Sequence, residues 1–156
     1  MNIVFCTDNQ LEQVGTSMTS IFELTNEPIT VYLFSAIKSP ELINLHKLTN
    51  SYGQEFKHIL VDKSKIPFLK TINIKEDCHQ GLCKLLPDSA YYRWLIPEYL
   101  KHNKCLYLDT DIIANKDITS FYNMDIDKFS VVGSSAKSGS PEIISGIMLM
   151  NLICFR

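Results

Sequence analysis

Two aspartates, Asp109 and Asp111, stand at the end of the apolar run Cys105-Leu106-Tyr107-Leu108. In extended chain such residues point to the same side, so the pair could share one cation. Hard divalent ions such as Mg²⁺ or Mn²⁺ take carboxylate oxygens together with phosphate oxygens of a substrate, and the ion then neutralises charge on a leaving diphosphate. The spacing alone is weak evidence. Nine Asp in 156 residues give about half a D-x-D by chance, and a second pair does occur at Asp125-Ile126-Asp127. Context separates them: Asp125 and Asp127 lie in a polar stretch that reads as a solvated turn, whereas Asp109 falls where ligands gather in open α/β sheets, beyond the carboxyl end of a strand. On the residues alone, metal binding and turn-capping carboxylates both remain open for this pair.

Asp8 occupies the equivalent place after the first apolar run, with Thr7 before it and Asn9 after it. Such groups suit a nucleobase edge or a ribose; the alternative is that Asp8 or Asn9 caps the helix starting near Leu11. Arg93, beside Tyr91 and Tyr92, carries a fork of donors able to bind a diphosphate or to orient the Asp pair, and a surface ion pair is the alternative. Cys78-His79 with Cys83 offers three soft ligands, but no second cluster completes a zinc site at standard spacing. His46, His58 and His102 have no partner at ligand or triad spacing. Neither a G-x-G-x-x-G nor a G-x-S-x-G is present, which weakens dinucleotide and hydrolase readings.

The elements that must position these residues follow from periodicity. Ile3 to Thr7 is a continuous apolar run typical of a strand buried on both faces. Leu11, Val14, Met18, Ile21 and Phe22 then fit the helical period. Ile29 to Phe34 is β-branched and aromatic, Ser39-Pro40-Glu41 reads as an N-cap with proline at the first helical position, and a helix runs to about Asn50. Phe56 to Val61 offers a third strand, so the order β-α-β-α-β favours a parallel sheet with helices over its faces. Asp62 to Pro87 reads as a long loop with fragments of structure. From Asp88-Ser89 a helix is expected to bend at Pro97, which should free the carbonyl of Arg93. Strands are expected at Lys104 to Leu108, Phe129 to Gly133 and Gly146 to Asn151.

Length and charge restrict partners. At 156 residues and a formal charge of -2, the chain suits one domain and has no basic excess for nucleic acid. The longest apolar stretch, Ile143 to Phe155, is interrupted by Ser145 and Asn151 and is shorter than the roughly 20 residues that span a bilayer. The amino terminus lacks the basic start and apolar centre of a secretion signal, and five cysteines, an odd number, read as reduced thiols. A cytoplasmic location is expected.

Four ordered blocks carry a resemblance: Ile3-Val4-Phe5-Cys6-Thr7-Asp8, Tyr91-Tyr92-Arg93-Trp94-Leu95-Ile96-Pro97, Lys104-Cys105-Leu106-Tyr107-Leu108-Asp109-Thr110-Asp111-Ile112, and Ser145-Gly146-Ile147-Met148-Leu149-Met150-Asn151-Leu152. In this order they resemble glycosyltransferase family 8, retaining transferases that include bacterial lipopolysaccharide galactosyl- and glucosyltransferases and glycogenin. The resemblance implies an α/β GT-A (Rossmann-like) fold, a mostly parallel sheet flanked by helices, here forming a single domain over residues 1–156 that is expected to be incomplete at its C-terminus. It also implies a UDP-sugar donor, a glycan or lipooligosaccharide acceptor, and Mn²⁺ (or Mg²⁺) held by Asp109 and Asp111. Asp8, with Thr7 beside it, would read the uracil and Arg93 would steady the donor's phosphates or sugar; no catalytic residue is assigned.

The departures are specific. Leu11 stands where the family carries an aromatic that stacks on the base, and Ile144-Ser145-Gly146 stands where it has Asn-Ala-Gly. The H-x-x-G-x-x-K-P-W segment, whose His is the third metal ligand, is not in the chain. The alternative to a hexosyltransferase is therefore an inactive nucleotide-sugar-binding module or decayed gene product, its membrane contact, at the inner face of the plasma membrane, made through the missing part. The stretch Gly146 to Leu152 is expected to form an uncovered apolar edge in such a fragment.

Overall fold

The computed structural model describes residues 1–66, 87–135 and 142–156. The Cys78-His79-Cys83 group lies outside the described residues. Strands β1 (Asn2–Cys6), β2 (Thr30–Ser35), β3 (Glu55–Leu60), β4 (Lys104–Leu108), β5 (Val131–Ser135) and β6 (Ile143–Asn151) form one six-stranded sheet in the order β3-β2-β1-β4-β6-β5. β1 pairs in parallel with β2 and β4, and β2 with β3; β6 runs antiparallel to both β4 and β5. The sheet is thus mostly parallel, as the order of elements implied.

Burial on both faces explains the continuous apolar runs. Along β1, Ile3 and Phe5 enter one core with Val31, Leu33, Leu106 and Leu108, while Val4 and Cys6 enter the other with Tyr32, Phe34, Cys105 and Tyr107. Helix α1 (Leu11–Leu24) covers the first face with Leu11, Val14, Met18, Ile21 and Phe22, the positions its 3.6-residue period selects. Helix α2 (Leu42–Ser51) joins it. It starts two residues later than Pro40 because Ser39 forms a turn first, its Oγ accepting from the Glu41 N–H and its carbonyl from Leu42. Tyr122, the last residue of the short helix α5 (Thr119–Tyr122), closes the same core.

The second face is covered by a chain segment that breaks as Pro97 requires. Helix α3 (Ser89–Tyr92) passes into a 3-10 turn at Arg93–Leu95 and then helix α4 (Ile96–Tyr99), with Pro97 in its first turn. The Arg93 carbonyl is not freed: it accepts the Ile96 N–H in the tighter 3-10 pattern, so the bend leaves no orphan acceptor. Tyr92, Leu95, Ile96 and Leu100 fill the core beneath.

The expectation of an uncovered edge at β6 is overturned. β6 lies between β4 and β5, and the edges of the sheet are β3 and β5. A parallel-order reading misses this because β6 inserts antiparallel beside β4, a pairing that depends on no local pattern. Among the described residues, no helix is long and apolar enough to cross a membrane.

The sheet order also fixes where a ligand can enter. β1 sends its following connection to β2 on one side, while β4 lies on the other. A crevice opens at such a reversal, outside the carboxyl ends of the central strands.

Candidate functional site

A cavity of about 310 Å³ occupies that crevice, lined by Cys6, Gln10, Arg93, Tyr107, Asp109 and Asp111 among others. Its volume lies at the lower end of the range for small-molecule sites, roughly 300–1,000 Å³. Asp109 follows β4 directly, and its backbone N–H donates to the Gly146 carbonyl at 2.8 Å. The chain turns there instead of staying extended, because the Ile112 N–H closes back on the Asp109 carbonyl at 3.3 Å. Asp109 and Asp111 nevertheless both line the cavity. Thr110, between them, is buried and donates to Gln10 Oε1 at 2.9 Å.

The Asp109 carboxylate is held from two sides. The Tyr107 hydroxyl donates to its Oδ1 at 2.6 Å, and Arg93 Nη2 lies 3.5 Å from the same oxygen. Its Oδ2 lies against Gly146, where a Cβ built on that glycine would be 2.8 Å away. A side chain at this position would have to displace the carboxylate.

Arg93 is clamped as well. Its Nε donates to the Ala90 carbonyl at 2.8 Å, its Nη1 to the Ser145 carbonyl at 2.9 Å, and its guanidinium lies 4.5 Å from the centre of the Tyr107 ring. It therefore ties the α3 segment to the start of β6 and to the acid at the end of β4. Burial pushes the Tyr107 phenol far above its ordinary pKa, with the neighbouring Cys6 thiol adding to the shift and Arg93 opposing it. Burial likewise raises the Cys6 thiol, which lines the cavity as a neutral group and not as a nucleophile.

Thr7 and Asp8 do not line this cavity. Thr7 is fully buried, its N–H donating to the Phe34 carbonyl at 3.0 Å and its Oγ1 accepting from the Gln10 N–H at 2.8 Å. Asp8 accepts from the Ser89 N–H at 3.3 Å through Oδ2 and from the Tyr92 hydroxyl at 3.0 Å through Oδ1. It is a helix cap, but of α3 and not of α1; Thr7 takes the donor at the start of α1. Desolvation first, and then the Asp8 charge, push Tyr92 up to about 12.

Other residues singled out in the sequence fall elsewhere. The Asp127 N–H donates to Asp125 Oδ1 at 3.0 Å in an exposed turn. His58 shares a 2.8 Å hydrogen bond with Ser35 Oγ, and His102 one of 2.8 Å with the Tyr32 hydroxyl. His46 packs edge-on against Phe56. Leu11 is buried in the core, so it offers no aromatic platform. Tyr107 and Gly146 lie within the family blocks but gain a role beside Asp109 only in the structure. Tyr107 stands at i−2 from Asp109, a spacing that in extended chain would put both side chains on one side.

A sequence model of glycosyl transferase family 8 matches residues 2–151. The chain belongs to this family. Among similar proteins, glycosyltransferase GlyB of Streptococcus pneumoniae serotype 4 is 25% identical over 161 aligned residues, and glycosyltransferase GlyE of the same organism is 23% identical over 151. These alignments take in 99% and 96% of this chain but 37% and 35% of GlyB and GlyE, so the chain spans little more than a third of either. The crystal structure of GlyE superposes with a TM-score of 0.72 at 20% identity, over 97% of this chain and 34% of GlyE. The galactosyltransferase LgtC, solved in complex with donor and acceptor sugar analogs, gives 0.75 at 18% identity, over 97% of this chain and 58% of LgtC. The family 8 chain thus has the α/β GT-A fold, and the crevice at Asp109 is its carboxyl-end crevice.

Proposed function

We propose that this chain carries the donor-binding part of a retaining hexosyltransferase that uses a UDP-linked sugar, a divalent cation and a glycan acceptor. The observation that supports it most is the convergence of Asp109, Asp111 and Arg93 on one cavity at the carboxyl ends of β1 and β4. In the reaction, an acceptor hydroxyl oxygen bonds to the anomeric carbon, the bond from that carbon to the diphosphate breaks, and UDP and a proton leave.

The donor set fits a hard cation: two carboxylates line the same cavity, and Asp109 Oδ2 occupies the slot that Gly146 keeps open. Mn²⁺ or Mg²⁺ bound by Asp109 and Asp111 would offset negative charge on the diphosphate. Arg93 has Nε and Nη1 committed to carbonyls, so it meets a phosphate through its remaining Nη N–H bonds. Asp8 keeps acceptor capacity for a base edge, since among the described residues each of its oxygens takes a single protein donor.

Calorimetry with UDP, with and without Mn²⁺, tests the reading. Mn²⁺-dependent heat that disappears in the Asp109→Asn, Asp111→Asn double variant is the expected result. Absence of any Mn²⁺-dependent heat at millimolar UDP overturns it.

A second reading, a nucleotide-sugar-binding module without turnover, has its own support. Among the described residues, no group of three or more His, Cys, Asp or Glu side chains stands together. Sugar-nucleotide turnover with Mn²⁺ separates the two: UDP binding without turnover favours the module.

A further inference from the structure

We propose that Tyr107 determines which oxygen of Asp109 is offered to a cation, and through it the kind of divalent ion the site accepts. This inference rests on the reading of Asp109 and Asp111 as cation ligands.

Tyr107 lies on β4, two residues before Asp109, which follows the end of the strand. Its ring is only 1% exposed and its hydroxyl donates to Asp109 Oδ1 at 2.6 Å. Arg93, resting on the Tyr107 ring, places Nη2 3.5 Å from the same Oδ1. Two donor groups therefore converge on one oxygen. The other, Oδ2, lies in the space left by the absent side chain of Gly146.

A carboxylate held in this way presents one oxygen and withholds the other. Mg²⁺ and Mn²⁺ suit that offer, since they are small, hard ions content with single oxygens from each carboxylate. Ca²⁺ is larger, takes six to eight oxygens and commonly accepts both oxygens of a carboxylate. Tyr107 thus acts as a positioning residue that disfavours Ca²⁺. Tyr107→Phe removes the donor with little change of shape and releases Oδ1, leaving the longer Arg93 contact as its restraint.

The test titrates the 156-residue chain with Mn²⁺ alone, read by electron paramagnetic resonance, and with Ca²⁺ in competition. Wild-type protein should bind Mn²⁺ about tenfold or more tightly than Ca²⁺. Tyr107→Phe should narrow that ratio by about threefold or more, because Ca²⁺ gains an oxygen that Mn²⁺ does not need. An unchanged ratio in Tyr107→Phe, including equal weakening of both ions, overturns the inference and assigns the tyrosine to packing. Wild-type protein that does not discriminate between the ions overturns it without any variant. Wild-type protein that binds neither ion overturns the cation-site reading itself, and the inference falls with it.

Discussion

The Asp8 carboxylate accepts the Tyr92 hydroxyl on Oδ1 at 3.0 Å and the Ser89 N–H on Oδ2 at 3.3 Å. One acid at the end of β1 thereby anchors the whole segment that carries Arg93. Asp8→Ala leaves the Tyr92 hydroxyl, on a fully buried residue, without this partner and removes the cap from α3. The expected loss is about 1–3 kcal/mol, the range for orphaning a partly buried polar group plus a cap. Urea unfolding checks it, and Tyr92→Phe, which removes only the donor of that hydrogen bond and spares the cap, should cost less.

Two glycines of the antiparallel half separate stability from binding. A Cβ on Gly133 would meet the Ile143 side chain at 2.6 Å and the Ile147 carbonyl at 2.7 Å, inside the irregular register between β5 and β6. Backbone cannot yield as a side chain can, so Gly133→Ala should cost about 1–3 kcal/mol by overpacking. At Gly146 the nearest atom is Asp109 Oδ2, the movable end of a side chain. Gly146→Ala should therefore leave the urea midpoint closer to wild type while displacing the carboxylate and weakening Mn²⁺ binding by about tenfold, the effect of about 1.4 kcal/mol. Paired unfolding and Mn²⁺ titrations of the two variants check the contrast.

What was legible in the sequence follows the range of the forces involved. Strand β1 and helix α1 announce themselves because a continuous apolar run and the 3.6-residue period are local signatures of burial. The D-x-D could be located at a strand end for the same reason. The antiparallel insertion of β6 could not be read, because Leu108 pairing with Ile147 is settled by which apolar faces meet and not by either segment alone. Asp8 does not cap α1, the helix beside it in sequence: its partners Ser89 and Tyr92 lie 81 and 84 residues away, and no local pattern announces them. Gly146 belongs to a family block, but its physical role, making room for Asp109, exists only once β4 and β6 are side by side.

Arg93 combines a structural and an electrostatic role that pull in opposite directions on a bound cation. Its side chain is only 18% exposed, and it bridges Ala90, Ser145 and Asp109. Arg93→Ala should lower stability by about 1–3 kcal/mol, the scale of charge-assisted hydrogen bonds to partly buried acceptors. The same substitution removes a positive charge 3.5 Å from Asp109 Oδ1. Mn²⁺ alone should then bind several-fold more tightly, in line with the loss of a nearby like charge, while UDP binding weakens. Arg93→Lys should restore the repulsion but not the bridging, because one ammonium cannot replace the planar fork. Calorimetry with each ligand separately checks both signs.

His58 supplies a pH dependence far from the crevice. Desolvation lowers its pKa from the ordinary 6.5, and its ring shares a 2.8 Å hydrogen bond with the fully buried Ser35. The folded protein therefore takes up its proton less readily than the unfolded chain. Above 6.5 the imidazole is neutral in both states and its contribution is complete; as pH falls from 6.5 through the lowered folded value, the unfolded state binds the extra proton and stability is lost. Urea midpoints measured from pH 7.5 down to about 5, spanning the ordinary histidine range, should fall more steeply in the wild type than in His58→Gln. The glutamine amide keeps a polar group near Ser35 and does not titrate, so identical slopes would show that His58 is charged as freely in the fold as in the unfolded chain.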